Sequence, residues 1–210
     1  MKSPEQAQGQ ENDFEGFKNW LRKDYDNQLS QLGLTIEDIR GKRILEIGAY
    51  DRRFAAACQL FGVTEDVYSV EPSLDGSVKE GYAEQHDAME IVDKLPAEIR
   101  EKIDQKTLIT DAEHIPLEDQ AVDIVLGRRV PWFGVEQLTD RIKEGLRIAS
   151  EVRLYPVTQE MEVEFTQALS AIKRDIPGVE VEYCTTTDVE VPTEDGSTHV
   201  IEKVAIVHCI

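Results

Sequence analysis

Residues 43–57 run Arg43-Ile44-Leu45-Glu46-Ile47-Gly48-Ala49-Tyr50-Asp51-Arg52-Arg53-Phe54-Ala55-Ala56-Ala57. A short apolar run ends on an acidic residue and a glycine, and an apolar helix start follows at once. A short run that is apolar apart from Glu46 and bounded by glycine suits a strand buried on both faces, and a tight turn then folds the helix back over it. From Arg43 onward strand and helix patterns alternate: strand 43–47, helix 52–61, strand 66–70, helix 97–104, strand 107–110, strand 122–126, helix 135–148, strand 151–155 and helix 159–174. Such alternation predicts parallel strands joined by crossover helices. Val179–Thr187 and His199–Cys209 instead alternate in polarity around Pro192-Thr193-Glu194-Asp195-Gly196-Ser197, which predicts a closing antiparallel hairpin.

Ahead of this pattern, residues 1–13 are rich in Gln, Glu and Asn and lack the apolar side chains that would repay ordering, so they are expected to form a disordered tail. Phe14, Phe17, Trp20, Leu21, Tyr25 and Leu29 recur at helical spacing, and Thr35-Ile36-Glu37-Asp38-Ile39 reads as a short capped turn. The expected organisation is a tail at 1–13, a helical extension at 14–40 and one α/β domain at 41–210.

Forty-two acidic residues against 23 basic ones give a formal charge of −19 in a chain of 210 residues. That field repels phosphate backbones and anionic headgroups, so neither nucleic acid nor a membrane is an expected partner. No apolar run approaches the roughly 20 residues needed to span a bilayer, and the first six residues are too polar to open a signal peptide. A cytoplasmic location is expected. Cys58, Cys184 and Cys209 are an odd number without metal-ligand spacing, and no metal site is expected.

Three segments carry a family resemblance. The Glu46–Phe54 turn resembles the Glu/Asp-x-Gly-x-Gly-x-Gly loop of class I S-adenosylmethionine-dependent methyltransferases, with Tyr50 and Arg52 at the second and third glycine positions. In Val67-Tyr68-Ser69-Val70-Glu71-Pro72-Ser73 an acidic residue ends the second strand, 23 positions after Gly48 (71 − 48), close to the roughly 20-residue spacing of a ribose-binding carboxylate. Thr110–Leu126 is similar to the Asp-Ala-x-x-Leu-Pro-Phe-x-Asp-x-Ser-Phe-Asp-x-Val segment of the quinone-biosynthesis-like branch. The resemblance implies a Rossmann-like, doubly wound, mainly parallel seven-stranded sheet and S-adenosylmethionine as cofactor. It places Glu71 on the ribose, Asp111 on the adenine amine, the Ala112 N–H on an adenine ring nitrogen and Gly48 and Ala49 along the methionine part, with Glu46 and Tyr50 also among the cofactor-binding candidates. Asp123 and His114 are expected to be structural and surface residues, and no catalytic side chain is assigned.

Tyr50 and Arg52 oppose cofactor binding, because glycine serves there where backbone must approach the ligand in unusual dihedrals. Glycine at both positions is expected to raise affinity and to lower stability. The arginine pairs Arg52-Arg53 and Arg128-Arg129 fall at the carboxyl edge of the sheet, where ligands of open α/β sheets bind. They are candidates for an anionic substrate, with Trp132 as a pocket floor; alternatively they pair with carboxylates such as Asp51 or Asp111. Three functions stay open: a methyltransferase acting on a small, anionic or neutral acceptor, a methyltransferase-like binding or regulatory protein that has lost the cofactor and meets a protein partner, and an α/β domain whose loop holds another anionic nucleotide.

Overall fold

The computed structural model describes residues 4–72, 90–128, 134–158, 161–193 and 196–209. Two helices lead, α1 (Pro4–Gln31) and α2 (Ile36–Ile39), followed by β1 (Ile44–Ile47), α3 (Arg53–Leu60) and β2 (Val67–Val70). Then come α4 (Glu90–Asp93), α5 (Ala97–Gln105), β3 (Thr107–Leu108), β4 (Ile124–Arg128), α6 (Gly134–Ile148), β5 (Glu151–Val157), α7 (Glu162–Asp175), β6 (Val179–Thr193) and β7 (Gly196–Cys209). The seven strands form one sheet in the order β3-β2-β1-β4-β5-β7-β6. All pairs are parallel except those of β7, which runs antiparallel to β5 and β6. This is the expected α/β architecture: doubly wound, mainly parallel and closed by a hairpin.

Every residue of β1 is buried, as befits a central strand covered on both faces. Ile44, Leu126 and Tyr155 pack beneath Leu21, Tyr25 and Leu29 of α1 and Phe54 and Ala57 of α3. Leu45, Val125 and Val152 face the other way, against Leu138 and Ile142 of α6 and Phe165 and Ile172 of α7. A Cβ on Gly145 of α6 would come within 2.9 Å of Val152 Cγ2, so the glycine is what lets α6 approach β5 this closely. At the lower edge Asp123 accepts from the Arg43 N–H at 2.8 Å and from Arg43 Nη2 at 2.9 Å, which ties β4 to β1 and gives Asp123 its structural role. Among the described residues no helix is long and apolar enough to cross a membrane.

Several boundaries differ from the sequence expectation. Helix α1 takes in residues 4–13, where a disordered tail is expected; Pro4 starts it and the following Glu, Gln and Ala residues are good helix formers, so local propensity carries the helix forward. The hairpin strands are longer than 179–187 and 199–209, because the Val-x-Val alternation of Val189 and Val191 continues the pairing beyond an irregularity between Thr185 and Thr187. Strand β4 ends two residues later than expected, at Arg128, and α4 is an element the charged stretch did not announce.

Candidate functional site

The carboxyl ends of β1 and β2 bring Gly48, Ala49, Tyr50 and Glu71 together, while Asp111 and Ala112 follow β3. Beyond β1 the chain turns sharply, and Gly48, Tyr50 and Arg52 have φ of 67°, 47° and 57°. All three are in the left-handed region that favours glycine, although Tyr50 and Arg52 carry side chains. The N–H groups of Gly48 and Ala49 both donate to the Val70 carbonyl, at 3.0 and 3.2 Å, and the Tyr50 N–H donates to Glu71 Oε2 at 2.7 Å. Three successive amides thus seat the loop on the end of β2. Glu71 is buried, and its own N–H donates to the Leu108 carbonyl at 3.1 Å.

The two arginines of this loop are engaged by carboxylates. Arg52 Nη1 donates to Asp104 Oδ1 at 2.5 Å and to Thr107 Oγ1 at 3.3 Å, which carries its guanidinium to the junction of α5 and β3. Arg53 Nε donates to both Asp51 oxygens, at 2.9 and 2.7 Å, and its Nη1 reaches Asp24 Oδ1 of α1 at 3.5 Å. Asp51 is the partner the sequence named as an alternative; Asp24 and Asp104 lie 29 and 52 residues from their arginines and no local signal marks them.

Glu46 points into the sheet face beneath α1 and α3. Burial pushes its carboxyl up to about 8, with the nearby Arg128 guanidinium pulling the other way and Asp51 adding to the rise. Its Oε2 and the Arg128 Nε are both buried without a hydrogen-bond partner among the described residues. Arg129 and Trp132 lie outside the described residues.

The Asp111 segment is a tight turn. Asp111 Oδ1 accepts from the N–H groups of Glu113 and His114, at 2.9 and 2.8 Å. Partial burial pushes this carboxyl up, but those two amides and the His114 ring outweigh it and hold it below the usual aspartate value. Ala112 is buried and His114 exposed. A clamp on α6 fixes the segment: Arg147 donates to the carbonyls of Ile115 and Leu117, at 3.0 and 2.9 Å, and to Glu144 and Asp119, at 2.8 Å each, while Glu144 Oε1 accepts from the Ile115 N–H at 2.8 Å. Sequence reasoning missed this clamp; the only signal was an acid and an arginine three residues apart on one helix.

No family model and no curated protein matches the chain. Solved structures do. A candidate RNA methyltransferase of Pyrococcus horikoshii is 17% identical, with a TM-score of 0.52 over 93% of this chain and 85% of its own. The methyltransferase domain of bacterial CtHen1 is 11% identical, with a TM-score of 0.55 over 87% and 98%. An S-adenosylmethionine-dependent methyltransferase of Methanosarcina mazei is 13% identical, with a TM-score of 0.51 over 83% and 96%. At such identities the likeness concerns the backbone, and by it this chain has the class I methyltransferase fold.

Proposed function

We propose that the protein is an S-adenosylmethionine-dependent methyltransferase acting on a small acceptor, its cofactor seated at the carboxyl edge of β1 and β2. One observation carries the proposal: the left-handed backbone at positions 48, 50 and 52, with the buried Glu71 beside it, supports a nucleoside-binding turn in which only the first of the three positions is still glycine. Glu71 would hold the ribose, the Asp111-Ala112 turn the adenine, and Gly48 and Ala49 the methionine part. When bound, the cofactor supplies an electrophilic methyl group. The protein's part is then to orient the acceptor and exclude water, and positioning of that kind can supply much of the rate without a catalytic side chain. Arg128, buried at its Nε and set at the end of β4, suits an acceptor carrying a negative charge. The net charge of −19 argues against RNA as acceptor, although the Pyrococcus protein's name includes it.

A second function is favoured by Tyr50, whose ring stands at a position where the resemblance expects none. The protein then binds the nucleoside half alone and serves as a non-catalytic binding protein. Calorimetric titration with S-adenosylmethionine, S-adenosylhomocysteine and adenosine separates the two. Saturable binding of the full cofactor supports the enzyme, binding of adenosine alone supports the second function, and no heat with any of the three overturns both.

A further inference from the structure

The loop that carries Tyr50 and Arg52 is strained, since an ordinary side chain in the left-handed region costs about 1–2 kcal/mol. Such conformations persist only where their surroundings over-determine them. The amides of residues 48–50 hold the loop from the β2 side. On the other side Asp51, its side chain only 3% exposed, is gripped by the Arg53 fork, and the next contact of that fork is with α1. There Asp24 meets Arg53 Nη1, Gln28 Nε2 donates to Asp24 Oδ2 at 2.5 Å, and the Trp20 ring lies 5.5 Å from the guanidinium. Trp20, Asp24 and Gln28 fall four residues apart, so one stripe of α1 presents all three towards the loop.

We infer that Asp24 is a positioning residue for the ligand loop: through Arg53 and Asp51 it holds the Tyr50–Arg52 turn in its left-handed shape, so that seating of α1 and ligand binding at the loop are coupled. Coupling of two equilibria is reciprocal. A ligand that needs this loop shape tightens α1, and a change in α1 that never touches the ligand weakens it. The binding half of the inference rests on the proposed function; the loop half does not.

The test compares wild type, Asp24→Asn, Arg53→Gln and the double variant, all as full-length chains. S-adenosylhomocysteine is titrated by calorimetry, and amide hydrogen exchange is followed at residues 50–53 and 20–28. Asp24→Asn is expected to weaken binding about tenfold. It should also speed exchange at 50–53 in the absence of ligand while leaving β5 and β7 unchanged. The double variant should lose no more than Arg53→Gln alone, since both act through one bridge. Asp24→Glu, which keeps the charge, should restore most of the affinity, and ligand should slow exchange at 20–28 in wild type only. Wild-type exchange at 50–53 in both single variants overturns the inference. So do additive losses in the double variant, or unfolding that speeds exchange equally in β5 and β7. If wild type binds no S-adenosylhomocysteine, the proposed function fails, and the exchange at 50–53 still decides the role of Asp24.

Discussion

The Tyr50 N–H donates to Glu71 Oε2 across 2.7 Å, joining the residue least like a nucleotide-binding loop to the one most like it. One carboxylate oxygen is therefore a structural acceptor as well as part of a candidate site. The loop is closed by the same group that the sequence resemblance puts on a ribose, so removing that carboxylate disturbs both the loop and the candidate site.

Glu71 variants should separate the two roles. Glu71→Ala removes the acceptor for Tyr50 and any bond to a ribose, and is expected to weaken S-adenosylhomocysteine binding by roughly 1–3 kcal/mol. Glu71→Gln retains an amide oxygen for the Tyr50 N–H, so exchange at that amide should stay near wild type while affinity still falls. Calorimetry and exchange on the two variants check this; equal affinity in all three proteins takes Glu71 out of the site.

Glu46 gives the chain a pH dependence of defined sign. With its carboxyl raised from 4.5 to about 8, the folded protein keeps a proton that the unfolded chain has released between those values. The folded state binds more protons there, so this group's contribution falls as pH rises through that window and is level above it. Glu46→Gln should therefore be more stable than wild type at pH 9 and lose that advantage towards pH 4, by an amount on the order of a few kcal/mol. Urea midpoints measured across this range decide it. Parallel curves for the two proteins would mean that Glu46 is charged in the fold.

The α6 clamp predicts a local loss. Arg147→Met removes donors to two carbonyls and two carboxylates, and is expected to destabilise the protein by about 1–2 kcal/mol, since the side chain is about one-third exposed. Glu144 is held below the usual glutamate value, chiefly by its bond from Arg147. A lowered carboxyl stabilises above its unfolded pKa and loses that contribution as pH falls through the folded one. The gap between wild type and Arg147→Met should accordingly narrow on acidification below pH 4.5. If the gap stays constant, Arg147 acts on the carbonyls alone.

The sheet was legible because its central strands are short, wholly buried and, Glu46 apart, apolar, and Ile44–Ile47 and Ile124–Leu126 read as such without any tertiary knowledge. The acidic positions ending β1 and β2 were legible for the same reason, as punctuation after apolar runs. What stayed hidden depends on partners far along the chain: Asp104 for Arg52, Asp24 for Arg53, and the carbonyls of Ile115 and Leu117 for Arg147. The hairpin's full length was hidden too, since Val189 and Val191 lie among Asp, Glu and Thr that weaken the strand pattern. The φ of Tyr50 and Arg52 could be expected only from the glycines of the loop this turn resembles, because nothing in the two side chains announces a left-handed turn.

That turn reverses one expectation, that glycine at 50 and 52 lowers stability. In a left-handed residue glycine relieves about 1–2 kcal/mol of strain and gives back about 0.5–1 kcal/mol in chain entropy. Tyr50→Gly should therefore be neutral or stabilising by up to about 1.5 kcal/mol, while Tyr50→Val, branched at Cβ in the same conformation, should destabilise by more than Tyr50→Ala. Arg52→Gly gains the same relief but loses its bonds to Asp104 and Thr107; Asp104 is more than half exposed, so that pair is worth at most about 1 kcal/mol and the net change should be small. Thermal midpoints of the four single variants rank these effects. Affinity for S-adenosylmethionine is then an independent reading of the same residues: if the Tyr50 ring obstructs the methionine part, Tyr50→Gly binds more tightly than wild type at equal or greater stability, with Arg52→Gly unchanged because its guanidinium lies at the α5–β3 junction. Weaker binding by a Tyr50→Gly protein that is no less stable would instead make the Tyr50 ring a ligand contact, and the loop a glycine turn rebuilt around an aromatic side chain.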